Sequence, residues 1–213
     1  MQTKAAVLWE NDSPWSVEDI VLDDPVESEV LVRMVASGMC HSDDHAVTGD
    51  LPALLPLVGG HEGAGVVEAV GDTVTSVKEG DHVVLTTMGF CGHCSPCARG
   101  LPSHCREGYG RLRAPFSVGG TKAFQFANAG VFAEATVVKE NQAVVIDPDV
   151  PLASACLIGC AVVTGTGAVL NRARPTHGQS AVVIGVGGIG LNVLQGLRLS
   201  DCGPIIAVDA NPA

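Results

Sequence analysis

Four cysteines crowded into residues 91–105 set the tightest limit on what this chain can fold into. They stand as Cys91-x2-Cys94-x2-Cys97-x7-Cys105. Four sulfurs so close in sequence can close around one tetrahedral Zn²⁺, with Zn–S bonds of about 2.3 Å. Protein would then fill every coordination position, which makes such an ion structural. A disulfide pair or four packed thiols is the alternative, but short repeated spacing suits a metal better. His93 and His104 lie in the same run and could compete for the ion, although a complete sulfur set makes them bystanders.

The remaining composition narrows the class. Twelve Lys and Arg against 23 Asp and Glu give a formal charge of −11. Nucleic acid and anionic membranes need a basic surface, so neither is an expected partner. The sequence lacks an apolar run of about 18 residues and a charged leader followed by an apolar segment. Eight cysteines in such a chain suggest reduced, metal-bound thiols, and the expected location is the cytoplasm.

Short Val-containing runs separated by Gly, Asp and Pro fill the first 150 residues. Ala5–Leu8, Val30–Val35, Gly65–Val70 and His82–Leu85 read as small strands of a barrel-like domain. The texture changes after Pro151. Leu152 to Asn171 is apolar and free of proline, which predicts a helix, though Gly159, Gly165 and Gly167 weaken its continuity. Ser180–Gly185 then reads as a buried parallel strand, residues up to Leu199 as a helix, and Ile205–Val208 as a second strand.

Between the first of those strands and its helix lies Gly185-Val186-Gly187-Gly188-Ile189-Gly190, with Asp209 following Gly190 by 19 positions. This is the arrangement of a dinucleotide-binding turn. Gly185 would permit the tight turn, Gly187 a close approach to pyrophosphate, and Gly190 the packing of helix on strand. Asp209 would accept hydrogen bonds from ribose hydroxyls and repel a 2′-phosphate, favouring NAD over NADP. A glycine-rich turn with no ligand is the bland alternative.

Three further residues form a second possible metal set. Cys40 opens Cys-His-Ser-Asp-Asp-His, His61 sits in Gly-His-Glu-Gly-Ala-Gly, and Cys160 lies on the apolar segment before the glycine motif. Two thiolates and one imidazole leave a fourth position open for a water or alcohol oxygen, whose acidity the metal would raise. Taken singly, Cys160 reads equally as a small core residue and His61 as a satisfied core histidine.

Together, Gly60-His61-Glu62-x2-Gly65-x5-Gly71-x2-Val74, the four-cysteine run, Cys40-x-Ser42-Asp43, and Gly185 to Gly190 with Asp209 resemble the zinc-dependent medium-chain alcohol dehydrogenases. The resemblance implies a GroES-like β-barrel catalytic domain over residues 1–160. The start of a Rossmann, doubly wound α/β domain would follow over 161–213. It implies Cys40, His61 and Cys160 as catalytic zinc ligands and Cys91, Cys94, Cys97 and Cys105 as structural ones, two ions per full subunit. Ser42 would take the alcohol proton and pass it through the nicotinamide ribose to His45. Asp43 would orient His61, and Glu62 would sit behind the zinc. His41 would face the NAD pyrophosphate together with Gly188, while Thr164 and Ile189 would pack on the nicotinamide ring. Cys156 and Cys202 read as buried small residues, and Asp44 as a solvated carboxylate.

The implied reaction interconverts an alcohol and an aldehyde or ketone with NAD as hydride acceptor, in a homodimer or homotetramer. Oxidation of a thiol adduct of formaldehyde is the alternative, for which Arg111 and Arg113 could serve the adduct's carboxylate. A zinc-stabilised binding module without turnover is the alternative of another class. Members of the family continue beyond the second Rossmann strand. The chain is therefore expected to be an amino-terminal fragment, with exposed apolar surface, weak NAD binding and little turnover alone.

Overall fold

The computed structural model describes residues 1–108 and 114–211. The chain divides into two compact units, Met1–Gly159 and Cys160–Ala213. Among the described residues, no single helix is long and apolar enough to cross a membrane.

The first unit is built from short strands, as the valine-rich runs predict. In chain order it contains β1 (Gln2–Leu8), β2 (Ser16–Leu22), β3 (Glu29–Gly38), α1 (His41–Thr48), β4 (Leu57–Val58), β5 (Glu62–Val70) and β6 (His82–Leu85). There follow α2 (Ser95–Ala98), β7 (Phe116–Val118), β8 (Thr121–Gln125), β9 (Ala135–Lys139), β10 (Ala143–Val145) and α3 (Leu152–Ala155). Five strands close into a barrel in the order β1-β2-β7-β8-β4. Closure comes from β4, which pairs antiparallel with β1 and parallel with β8. Side chains alternate across a strand, so Ala5 and Val7 of β1 and Ile20 and Leu22 of β2 turn into one core with Phe116 and Ala123. The other five strands form a sheet in the order β10-β6-β5-β3-β9. Val30, Val32, Val67, Val83, Leu85 and Val138 make its core. This is the GroES-like barrel that the resemblance implies.

In the second unit, α4 (Ala161–Gly167) runs into a π-helical turn over Ala168–Ala173, and β11 (Ala181–Ile184), α5 (Gly188–Leu199) and β12 (Ile205–Val208) follow. Strands β11 and β12 are parallel, Ala181 facing Ile205 and Ile184 facing Val208. A parallel pair needs a crossover, which α5 supplies. Val183, Leu197 and Val169 are buried together, whereas Val182, Ile184, Ile206 and Val208 are exposed.

One expectation fails. Residues 152–171 are not one helix: α3 passes into a 3-10 turn over Cys156–Gly159, and helix resumes only at Ala161. The reason lies at Gly159, whose Cα rests so close to the Leu85 carbonyl that a Cβ would collide with it. Packing on β6 fixes the chain there, and Cys160 takes φ −134°, ψ −73°, outside the helical region.

Candidate functional site

The cysteine run folds as a lobe whose sulfurs converge. All four Sγ atoms lie within 4.8 Å of one another. Cys94 Sγ stands 3.4 Å from Cys97 Sγ and 3.9 Å from Cys105 Sγ. Sulfurs bound tetrahedrally at about 2.3 Å are about 3.8 Å apart, whereas a disulfide holds them at about 2.05 Å. The spacing fits a cage around an ion. The local fold produces it: Cys94 caps α2, Pro96 stands in the first turn of that helix, and Gly100 at φ +75° turns the chain back. Backbone N–H groups point at the sulfurs, from Cys94 to Cys91 Sγ and from Cys91 to Cys105 Sγ, both at 3.3 Å.

The thiols also compete for protons. Backbone N–H groups of Arg106 and Cys97 pull Cys94 down to about 6. Desolvation, and then the hydrogen bond to Cys94, push Cys97 up to about 12. Four sulfurs this close cannot all ionise without a cation among them, so the donor set fits zinc. Two amide side chains of the first unit anchor the lobe. Asn141 donates to the Phe90 carbonyl at 2.5 Å, and Asn128 to that of Gly108 at 3.0 Å.

A second convergence lies at one end of β5. Cys40 caps α1, and Asp43, three residues on, turns back on it. The Asp43 carboxylate is 2% exposed. Its Oδ2 accepts from the Cys40 N–H at 2.9 Å, and its Oδ1 from the Gly60 N–H and from His61 Nδ1, each at 3.2 Å. A carboxylate only accepts, so His61 carries its proton on Nδ1 and leaves Nε2 as a ligand nitrogen. Ligand atoms of Cys40, His61 and Glu62 lie within 4.8 Å of one another. Burial alone would lower the His61 pKa, but the Asp43 carboxylate raises it overall. Burial likewise works against ionised Cys40, yet hydrogen bonds from Ser42 and the charge of His61 bring that thiol down. Paired soft and imidazole donors held in this way suit Zn²⁺.

The remaining residues of this part are less enclosed. Ser42 Oγ lies 3.7 Å from Cys40 Sγ. His45 is exposed, its ring set edge-on to His41 at 5.2 Å and its Nδ1 3.4 Å from the Asp50 carboxylate. Asp44 is exposed as well. Glu62 is 2% exposed and faces Gly38 across β3 and β5, where a Cβ would strike the Glu62 carboxylate. Asp50 and Gly38 were not singled out from the sequence. A Thr-Gly-Asp turn after α1 was the available signal for Asp50, and nothing local marks Gly38.

Cys160 begins the second unit as the capping residue of α4. In that unit Gly185 takes φ +88°, and Gly190 packs so closely that a Cβ would meet the Gly185 carbonyl. At Gly187 and Gly188 a Cβ would meet nothing within 4 Å, which leaves the backbone open to a ligand. Asp209 Oδ2 accepts from the Val186 N–H at 2.7 Å and Oδ1 from that of Asn211 at 2.9 Å. A carboxylate has about four acceptor positions, so capacity remains for ribose hydroxyls. Gly165 lies against the Ile189 carbonyl, so Thr164 and Ile189 stand on adjoining elements. These positions fit a dinucleotide. Cys156 is buried and Cys202 partly buried, both among apolar side chains. Arg111 and Arg113 lie outside the described residues.

The Val186 and Asn211 N–H groups hold Asp209 below the usual carboxylate range. Its tie to the glycine turn is therefore complete above the unfolded value of about 3.9. The tie is lost as pH falls through the lower folded value. Amide resonances of Val186 and Asn211 followed from pH 6 to pH 2 should move only below about pH 4. Movement centred near neutrality would disprove the tie.

Comparison with known proteins agrees with this geometry. The family described as "Alcohol dehydrogenase GroES-like domain" matches residues 26–148. "Alcohol dehydrogenase B" of Mycobacterium tuberculosis is 40% identical over 218 residues, covering 98% of this chain and 58% of that protein. The solved structure of an "Alcohol dehydrogenase zinc-binding domain protein" from Burkholderia ambifaria superposes with a TM-score of 0.91 at 37% identity. It covers 100% of this chain and 60% of its own. Benzyl alcohol dehydrogenase from Acinetobacter calcoaceticus gives 0.90 at 35% identity, covering 98% and 59%. The chain thus spans somewhat over half the length of the relatives it matches. With its barrel, its cysteine lobe and the match over residues 26–148, the chain belongs to the alcohol dehydrogenase GroES-like family.

Proposed function

We propose that this chain carries the zinc-binding and NAD-binding residues of an oxidoreductase that interconverts an alcohol and an aldehyde or ketone. The observation that carries this reading is the buried Asp43 carboxylate, which holds both the Cys40 loop and the His61 ring, leaving His61 Nε2 beside a lowered Cys40 thiol. In this reading Cys40, His61 and Cys160 hold one zinc, and Cys91, Cys94, Cys97 and Cys105 hold another. Residues 1–160 form the catalytic domain and 161–213 the NAD-binding part. Zinc would supply Lewis acidity at the substrate oxygen, and NAD a two-electron acceptor.

The chain's own groups do the rest. Ser42, beside Cys40, takes the substrate hydroxyl proton, and exposed His45 returns it to solvent. Glu62 places a negative charge behind the ligand set. Gly185, Gly187, Gly188 and Gly190 let the pyrophosphate approach the start of α5, where unpaired N–H groups meet it, and His41 adds a ring N–H partner. Asp209 selects NAD by repelling a 2′-phosphate. Thr164 and Ile189 bound the nicotinamide ring. In this reading the thiols stay reduced to hold metal, as in the cytoplasm. The whole protein works as a homo-oligomer on a small alcohol or aldehyde.

Elemental analysis of the purified chain tests the reading. Two zinc equivalents resistant to dialysis are expected, of which Cys94→Ser removes one and His61→Ala the other. Calorimetric titration should show NAD bound at least about 10-fold more tightly than NADP, as one repelled charge near a surface implies. A metal content that His61→Ala leaves unchanged would sink the catalytic-zinc assignment.

A further inference from the structure

The cysteine lobe presents one more cluster, on its outer side. His93 Nδ1 lies 2.9 Å from the Cys91 carbonyl oxygen. A carbonyl only accepts, so Nδ1 carries the ring proton and a neutral His93 has its lone pair on Nε2. That nitrogen stands 3.4 Å from Glu107 Oε1. Two N and O ligands bound tetrahedrally to zinc at about 2.05 Å are about 3.4 Å apart, so the observed separation suits two ligands of one ion.

A third donor is already in place. Cys91 Sγ, His93 and Glu107 offer ligand atoms within 4.8 Å of one another. All three line a cleft of about 410 Å³ that is open to solvent and has room for water on an ion. The ring also shows the usual arrangement around a ligating histidine, one nitrogen toward the metal and the other N–H given to a backbone carbonyl. Charge adds to the case: four thiolates with one Zn²⁺ would carry −2 and Glu107 adds −1, while Lys139 and Glu140, which also line the cleft, offset each other. A thiolate sulfur has lone pairs enough to bridge two ions.

We propose that His93, Glu107 and the sulfur of Cys91 form a second, solvent-facing zinc site that shares Cys91 with the four-cysteine cage. The proposal rests on the cage holding zinc, and the test separates the two claims. Purified chain is treated with a weak chelator so that only tightly held metal remains, then dialysed against micromolar free Zn²⁺ and analysed for metal per chain. The unaltered chain should gain one equivalent over its chelator-resistant content. His93→Gln and Glu107→Gln should keep the resistant content and weaken the added equivalent. The loss should be at least the roughly 10- to 100-fold that follows removal of a mere outer partner. Co²⁺ bound at that site should broaden the His93 ring signals in NMR, a readout that needs no turnover. Equal uptake by the unaltered chain and both variants overturns the proposal while the cage reading stands. Absence of any chelator-resistant metal that Cys94→Ser removes overturns the cage reading, and the shared site with it.

Discussion

A strong chelator should make the bonds after Arg99 and Arg106 cleavable by trypsin while the barrel stays folded. Of residues 91–108, only Pro96 and Gly108 are buried. The lobe therefore has almost no apolar core; N–H···S contacts, Asn128 and Asn141 hold it, and in the proposed reading a zinc ion does so as well. Structural zinc contributes about 10–16 kcal/mol in isolated zinc-binding peptides. Even a ligand present at a hundred times its dissociation constant stabilises by about 2.7 kcal/mol, a 100-fold population change. Cleavage after Arg99 and Arg106 should accelerate by at least about that 100-fold on treatment with a strong chelator. The same acceleration should appear without chelator in a Cys97→Ser, Cys105→Ser variant. Near-ultraviolet signals from Trp15, which packs edge-on against Phe132 in the barrel, should hardly change. A chelated lobe as resistant as the loaded one would show that protein contacts alone maintain it.

Asp43→Ala should be the most damaging substitution near His61. The carboxylate is buried and accepts from three donors, Cys40 N, Gly60 N and His61 Nδ1. Truncation takes the acceptor from all three, and each buried donor left unsatisfied costs about 1–3 kcal/mol. Urea unfolding followed by the fluorescence of Trp9 and Trp15 measures this. Asp43→Asn tests the chemistry separately, because an amide keeps the shape but turns a donor toward one of those N–H groups. It should lose less stability than alanine, yet weaken Co²⁺ binding at Cys40 and His61 by about 10–100-fold. An alanine variant within about 1 kcal/mol of the parent would mean the three contacts are not what holds this corner together.

The sequence spoke clearly wherever chemistry or periodicity is local. His82–Leu85 and Ile205–Val208 are strands at their expected bounds, and the glycine turn joins β11 to α5. The cysteine spacing was legible because the lobe closes within 15 residues. Barrel closure was not. Strand β4 has only two residues, and its parallel partner β8 lies over 60 positions away. Strands β7 and β8 sit in a stretch around Gly119 and Gly120 with no strong alternation. Pairing across such separations is decided by the barrel core, above all Phe116 with Ile20 and Leu22, rather than by any window of sequence. The break at Cys160 was hidden for a related reason. Composition favours helix through Leu152–Asn171; its glycines weaken the continuity, but the place of the break is set by the approach of Gly159 to Leu85. At the site, Cys40, His61 and Asp43 were marked by motif. Asp50 beside His45, and Gly38 beside Glu62, become visible only when separate segments meet.

The parallel ribbon β11–β12 bears on how the polypeptide behaves in a tube. One of its sides shows Val182 at 60% and Ile184 at 84% exposure, with Ile206 and Val208 beside them. Among the described residues, two strands also leave two rims of amide and carbonyl groups without a strand alongside. Greasy flanks and sticky rims together favour lateral stacking between molecules as the solution is concentrated. Light scattering should therefore rise with dose, and replacing Ile184 by lysine should clear it.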